Sequence, residues 1–352
     1  MSTLLEVRGL NVSFDAVRVV HDIDLTLERG ETLGIVGETG SGKSVSSSAL
    51  MGLLPVPPAR VRAATLSFDG RSLLRGNELD LRAVGRERGR GMAMIFQDPS
   101  SALNPLFTIG DVLMAVIRRH RKLRGTALRT CAVELLEAVG LPSPSHILDS
   151  YPHQLSGGMK QRTAIAMTLA AKPSLLIADE PTTALDATVA TQVLALLADL
   201  QRESGVAMLF ISHDLGVVSR VCSRVAVMYA GRIVEEAPVD TLFRAPSHPY
   251  TRGLFAARPH LRLPSMLGER RVEHHERRAL LAIPGSVPTP AQLPAGCAFH
   301  PRCYHATADC NARVPVLETL PTPPQALTGH SELHPARVAC FHPVLNAPPQ
   351  GD

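Results

Sequence analysis

Residues Gly37-Glu38-Thr39-Gly40-Ser41-Gly42-Lys43-Ser44 fit the pattern G-x-x-x-x-G-K-[ST]. Few architectures accommodate it, because a strand must deliver the loop and a helix must receive it. Both are readable here. Residues 33–36 are a short apolar run, and residues 44–54 carry a helical pattern that Pro55 stops. In such a loop the backbone N–H groups point inward around phosphate oxygens. Glycines permit the close approach, and the helix N-terminus adds a favourable dipole. Lys43 is placed to reach β- and γ-phosphates, and the Ser44 hydroxyl to ligate Mg²⁺.

A second apolar run, residues 175–178, ends in Asp179-Glu180. A buried strand running into two carboxylates is costly unless they have a partner. Mg²⁺ is the natural one. Asp179 would bind it, directly or through water, and Glu180 would polarise an attacking water.

Around these motifs, residues 1 to 255 alternate strand-like and helix-like segments, the α/β pattern. Residues 175–178 and 208–212 suit a buried parallel sheet, with residues 189–200 helical between them. Residues about 100–170 carry mainly helical periodicity, as an inserted helical lobe would. Composition shifts near residue 256: 15 of the 28 prolines lie in residues 256–352. Such a segment is expected to be a linker-like tail or a small lobe held by its cysteines, not a helical or sheet core. The charged stretch 269–278 reads as a solvated helix or loop face.

Composition excludes some functions. The formal net charge of +4 is too weak to argue for nucleic acid. No uncharged apolar run of 18 residues occurs, so no spanning helix is expected. Met1 to Glu6 lack the features of a signal peptide, so a cytosolic location is expected. Six cysteines in a reducing compartment argue against structural disulfides.

At Leu155-Ser156-Gly157-Gly158-Met159-Lys160-Gln161 the chain resembles the signature motif of ATP-binding cassette (ABC) ATPases. Other motifs of that family occur in its order. Gln97, in Phe96-Gln97-Asp98-Pro99, resembles the Q-loop. Ala184-Leu185-Asp186 resembles the D-loop, and His213 in Ile211-Ser212-His213-Asp214 the switch histidine. Phe14 sits where the family places an adenine-stacking aromatic, with plain core packing as the other reading. Lys160 replaces the Arg more usual after the signature. The resemblance spans about residues 3–255. It implies an α/β P-loop NTPase of the ABC ATPase type with a helical subdomain at about 100–170 and a Cys/Pro-rich extension at 256–352.

On its own residues, Ser156-Gly157-Gly158 is a Ser-capped helix start that offers N–H donors to an anion. The resemblance implies that this anion is a γ-phosphate bound on the opposite subunit, so that two ATPs are buried between head-to-tail cassettes. It implies that Gln97 contacts Mg²⁺ or the water, that His213 hydrogen-bonds the γ-phosphate, and that Asp186 belongs with the nucleotide-binding residues. Residues 243–251, 283–285 and 296–303 resemble the C-terminal extension of dipeptide/oligopeptide importer ATPases; nickel and glutathione importers share parts of it. The implied partners are a second cassette, with a paralogue favoured, two membrane permeases and a periplasmic or extracellular peptide-binding protein. The implied location is the cytoplasmic face of the cell membrane. A soluble cassette protein and a non-hydrolysing nucleotide binder are competing readings. The single cassette speaks against the first, and the intact Glu180 and His213 against the second.

Cys297, Cys303, Cys310 and Cys340 crowd the last 56 residues, which suggests a metal or cluster. Thiolates suit iron–sulfur or Zn²⁺, and free thiols remain open. The similar tails are associated with a four-Cys [4Fe–4S] site, so that cluster is the expectation and zinc its alternative. His300, His305 and His342 read as surface or hydrogen-bonding residues, and Cys131 and Cys222 as buried thiols. Arg118, Arg119, Arg121, Lys122 and Arg124 read as a solvated helix end, with contact to anionic lipid headgroups as the alternative.

Overall fold

The structure is a computed structural model that describes residues 2–257, 283–320 and 335–345. The charged stretch 269–278 lies outside the described residues. The framework is an eight-stranded sheet in the order Glu318–Thr319, Arg337–Val338, Arg232–Pro238, Arg224–Tyr229, Thr32–Val36, Ala207–Ser212, Leu175–Asp179, Met92–Ile95. The strands from Arg224–Tyr229 onward are parallel, and the first three add on antiparallel.

The parallel strands are apolar throughout because both faces are covered. Successive side chains point to opposite faces, so each strand feeds two cores. Leu33, Ile35, Leu175, Ile177, Leu209 and Ile211 enter one core. Val36, Leu176, Ala178, Met208 and Phe210 enter the other. That double burial is why these segments read as continuous apolar runs.

The first core is closed by an antiparallel sheet that the alternating α/β reading did not anticipate. Thr3–Phe14 pairs with Val17–Glu28, Ala59–Arg62 and Thr65–Phe68. The second core runs into the helices Ile109–Arg121, Gly125–Ala138 and Gly157–Leu169, through Leu113, Ile117, Leu136 and Ile165. A capping box opens the first of these: Thr108 Oγ1 accepts from Asp111 N at 3.1 Å, and Asp111 Oδ2 accepts from Thr108 N at 3.1 Å.

The basic run at the end of that helix is not uniformly solvated. Arg121 donates to the carbonyls of Ala170 (2.7 Å) and Leu169 (3.2 Å), and to Cys131 Sγ (3.0 Å). A guanidinium on the last carbonyls of Gly157–Leu169 satisfies groups the helix cannot satisfy itself.

The proline-rich tail is more than a linker. It adds the two-residue strands Glu318–Thr319 and Arg337–Val338 to the edge of the main sheet, where proline-rich chain is tolerated. Arg337 pairs there with Glu236, which also takes Arg224; Arg224 in turn reaches Glu31 at 2.7 Å. Among the described residues, no helix is long and apolar enough to cross a membrane.

One buried acid gives the fold a pH dependence. Glu235 accepts from the backbone N–H of Ser247 (2.6 Å) and His248 (2.9 Å). Burial pushes its carboxyl up from 4.5 to about 7. The folded chain therefore keeps a proton that the unfolded chain releases. This contribution to stability is fully present below pH 4.5 and is lost as pH rises to about 7. Urea unfolding at stepped pH is expected to show wild type losing roughly 3 kcal/mol against Glu235→Gln across that window. A constant difference between the two would contradict it.

Candidate functional site

The strand Thr32–Val36 delivers the loop and the helix Lys43–Leu50 receives it. The helix ends sooner than residues 44–54 suggested, in a turn at Met51 and Gly52. Two loop glycines are structurally obligatory. Gly42, the residue before the helix, has φ +99°, a left-handed conformation. A Cβ on Gly37 would stand 2.1 Å from the carbonyl oxygen of Met228, so only glycine fits. Gly40 has φ +82° and open space where a side chain would start.

Lys43 is folded back along the loop. Its Nζ donates to the carbonyls of Gly37 (2.9 Å) and Glu38 (3.0 Å), with Ser41 Oγ at 3.4 Å. Burial lowers its pKa, while Glu180, Asp179 and Glu38 pull it up. An anion at the helix start would offer Nζ a better partner than neutral carbonyls.

Leu175–Asp179 lies two strands from Thr32–Val36, with Ala207–Ser212 between. This brings Asp179 against the loop: Ser44 Oγ donates to Asp179 Oδ1 at 3.0 Å. Burial raises the Asp179 pKa against the pull of the Ser44 hydrogen bond. A buried carboxylate beside a hydroxyl is a hard oxygen donor set, and it fits Mg²⁺.

Glu180 is the point where the motifs meet. It turns off the strand at φ +46°, rare for a residue with a Cβ, and its N–H donates to Ile211 O at 2.9 Å. Its Oε2 accepts from Thr183 Oγ1 (2.8 Å), His213 Nδ1 (3.1 Å) and Gln97 Nε2 (3.5 Å). A carboxylate only accepts, so His213 carries its proton on Nδ1. Gln97 follows strand Met92–Ile95 and His213 follows Ala207–Ser212. Parallel strands thus deliver Gln97, Glu180 and His213 to one end of the sheet, where α/β folds place ligands. Thr183 was not singled out in the sequence; its signal was a hydroxyl three residues past the acid.

Ser156 caps Gly157–Leu169, its Oγ accepting from Met159 N at 3.3 Å. Gly158 is packed so closely on Val189 that a Cβ would stand 2.5 Å from its Cγ1. Asp186 caps the neighbouring helix Ala187–Ser204 through Thr188 N (3.1 Å) and Val189 N (3.0 Å). Ser156, Gly157, Gly158 and Asp186 make these local contacts and do not bond to the phosphate loop. Phe14, at the hairpin end of Thr3–Phe14, packs partly buried against the first core. Glu38 does more than line the loop, since its carboxylate pairs with Arg302 from the tail.

The ABC transporter family profile matches residues 20–183, and the oligopeptide/dipeptide transporter C-terminal region matches residues 234–310. The chain is 46% identical to the oligopeptide transport ATP-binding protein OppD of Bacillus subtilis over 310 residues, 87% of this chain and 83% of that one. It is 44% identical to the dipeptide transport ATP-binding protein DppD of Escherichia coli over 322 residues, 90% of this chain and 93% of that one. This chain belongs to the ATP-binding subunits of ABC transporters. Its fold matches the cbiO1 cassette of Clostridium perfringens at TM-score 0.57 and 27% identity, covering 69% of this chain and 91% of that one. It also matches a dimeric ATP-binding cassette in a post-hydrolysis state with ADP and Pi, at TM-score 0.56 and 26% identity, over 67% and 99% of the chains. The fold is thus the α/β P-loop cassette with an inserted helical subdomain.

In this ABC subunit the expected [4Fe–4S] cluster is a correction. Among the described residues, no group of three or more His, Cys, Asp or Glu side chains is arranged to hold a metal ion. This overturns both the iron–sulfur site and its zinc alternative. Cys297, Cys303, Cys310 and Cys340 do line one cavity, but its free volume is about 10 Å³, no more than a single water occupies. Burial raises the pKa of Cys297 and Cys303, and that of Cys340 to about 11. The lobe is held by other contacts. Phe299 packs edge-on against Tyr229, and Cys297 N donates to Cys310 O at 2.8 Å. His300 Nδ1 bonds Cys297 O (2.9 Å), and His342 Nε2 bonds Thr307 Oγ1 (2.9 Å).

Proposed function

We propose that this chain is the ATP-hydrolysing subunit of a membrane importer for di- and oligopeptides, with residues 1–255 as the ATPase cassette and 256–352 as its extension. The convergence of Gln97, His213 and Thr183 on the Glu180 carboxylate carries the reading. The glycine loop and Lys43 cradle the phosphates of ATP. Ser44, Asp179 and Gln97 would hold Mg²⁺, which would supply charge neutralisation on the phosphate oxygens. Glu180 orients a water and takes its proton as the water oxygen bonds to the γ-phosphorus. ADP leaves with the bridging oxygen, and His213 steadies the γ-phosphate oxygens. Phe14 stacks on the adenine.

Ser156, Gly157, Gly158 and Asp186 face the nucleotide of a second cassette, which explains why they do not bond to their own loop. Closure around two ATPs is a population shift driven by the higher affinity of the closed state. Two permeases and a peptide-binding protein complete the assembly, with this chain peripheral on the cytoplasmic face of the membrane. The peptide substrate follows from the similarity to OppD and DppD and from the matched C-terminal region.

The test is uptake of a labelled dipeptide into vesicles reconstituted with two permeases, a second cassette and a peptide-binding protein, with this chain and MgATP on the cassette side. ATP-dependent accumulation that disappears with Glu180→Gln is expected. Accumulation of a non-peptide solute, with peptides excluded, would overturn the substrate assignment.

A further inference from the structure

Within the nucleotide-site reading above, on which this inference rests, we propose that Arg302 of the C-terminal lobe is a positioning residue for ATP binding. It holds Glu38 and, through Glu38, the backbone of the phosphate loop.

Glu38 is anchored at three points. Its carboxylate takes both ends of the Arg302 guanidinium, Nη1 to Oε2 at 2.8 Å and Nη2 to Oε1 at 3.2 Å. Its N–H donates to the Tyr250 hydroxyl at 2.9 Å. Its carbonyl accepts from Lys43 Nζ at 3.0 Å. The first two anchors come from the C-terminal part of the chain, and the third is the lysine that must reorient toward a triphosphate. Arg302 is itself fixed. Its Nε donates to Pro284 O at 2.8 Å, its Nη1 lies 3.4 Å from the Tyr229 hydroxyl, and its side chain is 5% exposed. The turn His300–Arg302 that carries it follows Phe299, which packs against both Tyr229 and Tyr250.

Two physical effects follow. A bidentate guanidinium–carboxylate pair, its guanidinium buried and its carboxylate partly exposed, fixes direction as well as distance, so the peptide units flanking Glu38 are held for the incoming phosphates. The pair also neutralises an acid one residue from Gly37. Unpaired, the Glu38 carboxylate would repel a polyanion and draw Lys43 toward itself, because Glu38 is among the charges that Lys43 feels. A purely structural staple would affect how firmly the lobe is attached. A positioning residue affects the affinity for nucleotide.

The full-length chain is assayed for ATP hydrolysis, with KM and kcat separated. Arg302→Gln is expected to raise the KM for ATP about tenfold and to change kcat less than threefold. Glu38→Gln placed in the Arg302→Gln background is expected to bring KM back to within threefold of wild type, because a neutral side chain needs no counter-charge. A folded Arg302→Gln chain with unchanged KM would overturn the proposal, as would a double variant no better than the single one. Should Arg302→Gln not fold, Arg302→Lys keeps the charge without the fork. It is expected to raise KM about threefold, and a wild-type KM there would sink the idea equally. Wild type that binds no ATP, tested beside Lys43→Ala, would remove the nucleotide-site reading and this inference with it. Wild-type binding with unaffected Arg302 variants removes the inference alone.

Discussion

Glu180→Gln is expected to retain ATP and to lower turnover by ~10²–10⁴, the typical worth of a general base. The amide keeps the size of the carboxylate, and its oxygen still accepts from Thr183 and His213, which now bond Oε2 at 2.8 and 3.1 Å. What it loses is the capacity to take a proton. The strand-end conformation at φ +46° is a backbone property and is unaffected. Phosphate release at saturating MgATP, measured beside an equilibrium nucleotide titration, separates the two effects. Undiminished hydrolysis would remove Glu180 from the proposed role. Weakened binding with normal turnover would make it a ligand instead of a base.

Lys43→Ala is expected to weaken ATP binding by about 10²-fold, the range of a charge-assisted hydrogen bond lost from a buried site. The surroundings make the loss severe. Asp179, Glu180 and Glu38 all act on Lys43, so without the ammonium the pocket presents carboxylates to a triphosphate. Lys43→Arg keeps the charge but brings a planar fork to a space built for a compact ammonium, and it is expected to recover only part of the affinity. A binding titration on both variants checks this, with thermal midpoints taken without nucleotide to confirm folding. Unchanged affinity in the alanine variant would contradict the phosphate-loop assignment.

Much of the site was legible because its residues are near neighbours of recognisable strands. Asp179 and Glu180 end an apolar run, and Lys43 and Ser44 open a helix, so local pattern alone put them at one end of a parallel sheet. The antiparallel sheet was not legible in the same way. Thr3–Phe14 and Val17–Glu28 show the half-buried alternation of strands paired sideways, and a reading tuned to α/β alternation passes over it. The cysteines show the opposite error. Their spacing suggested a cluster and they do share a cavity, but sequence spacing carries no volume. The tie between Glu38 and Arg302 was invisible for a simpler reason. The two residues are 264 positions apart, Glu38 reading as part of the phosphate loop and Arg302 as part of a tail motif, with nothing in either pattern to join them. His248, Pro249 and Tyr250, and likewise His300, Pro301 and Arg302, stood out only as likeness to importer tails. The fold shows two of them, Tyr250 and Arg302, touching the phosphate loop.

That tie has a consequence for engineering. On the proposal above, the acid directly after the first loop glycine and the distant arginine act as one charge-balanced unit, so the loop and the tail are not interchangeable parts. A chimera that grafts this loop onto a tailless cassette would inherit an orphaned charge at its most sensitive point.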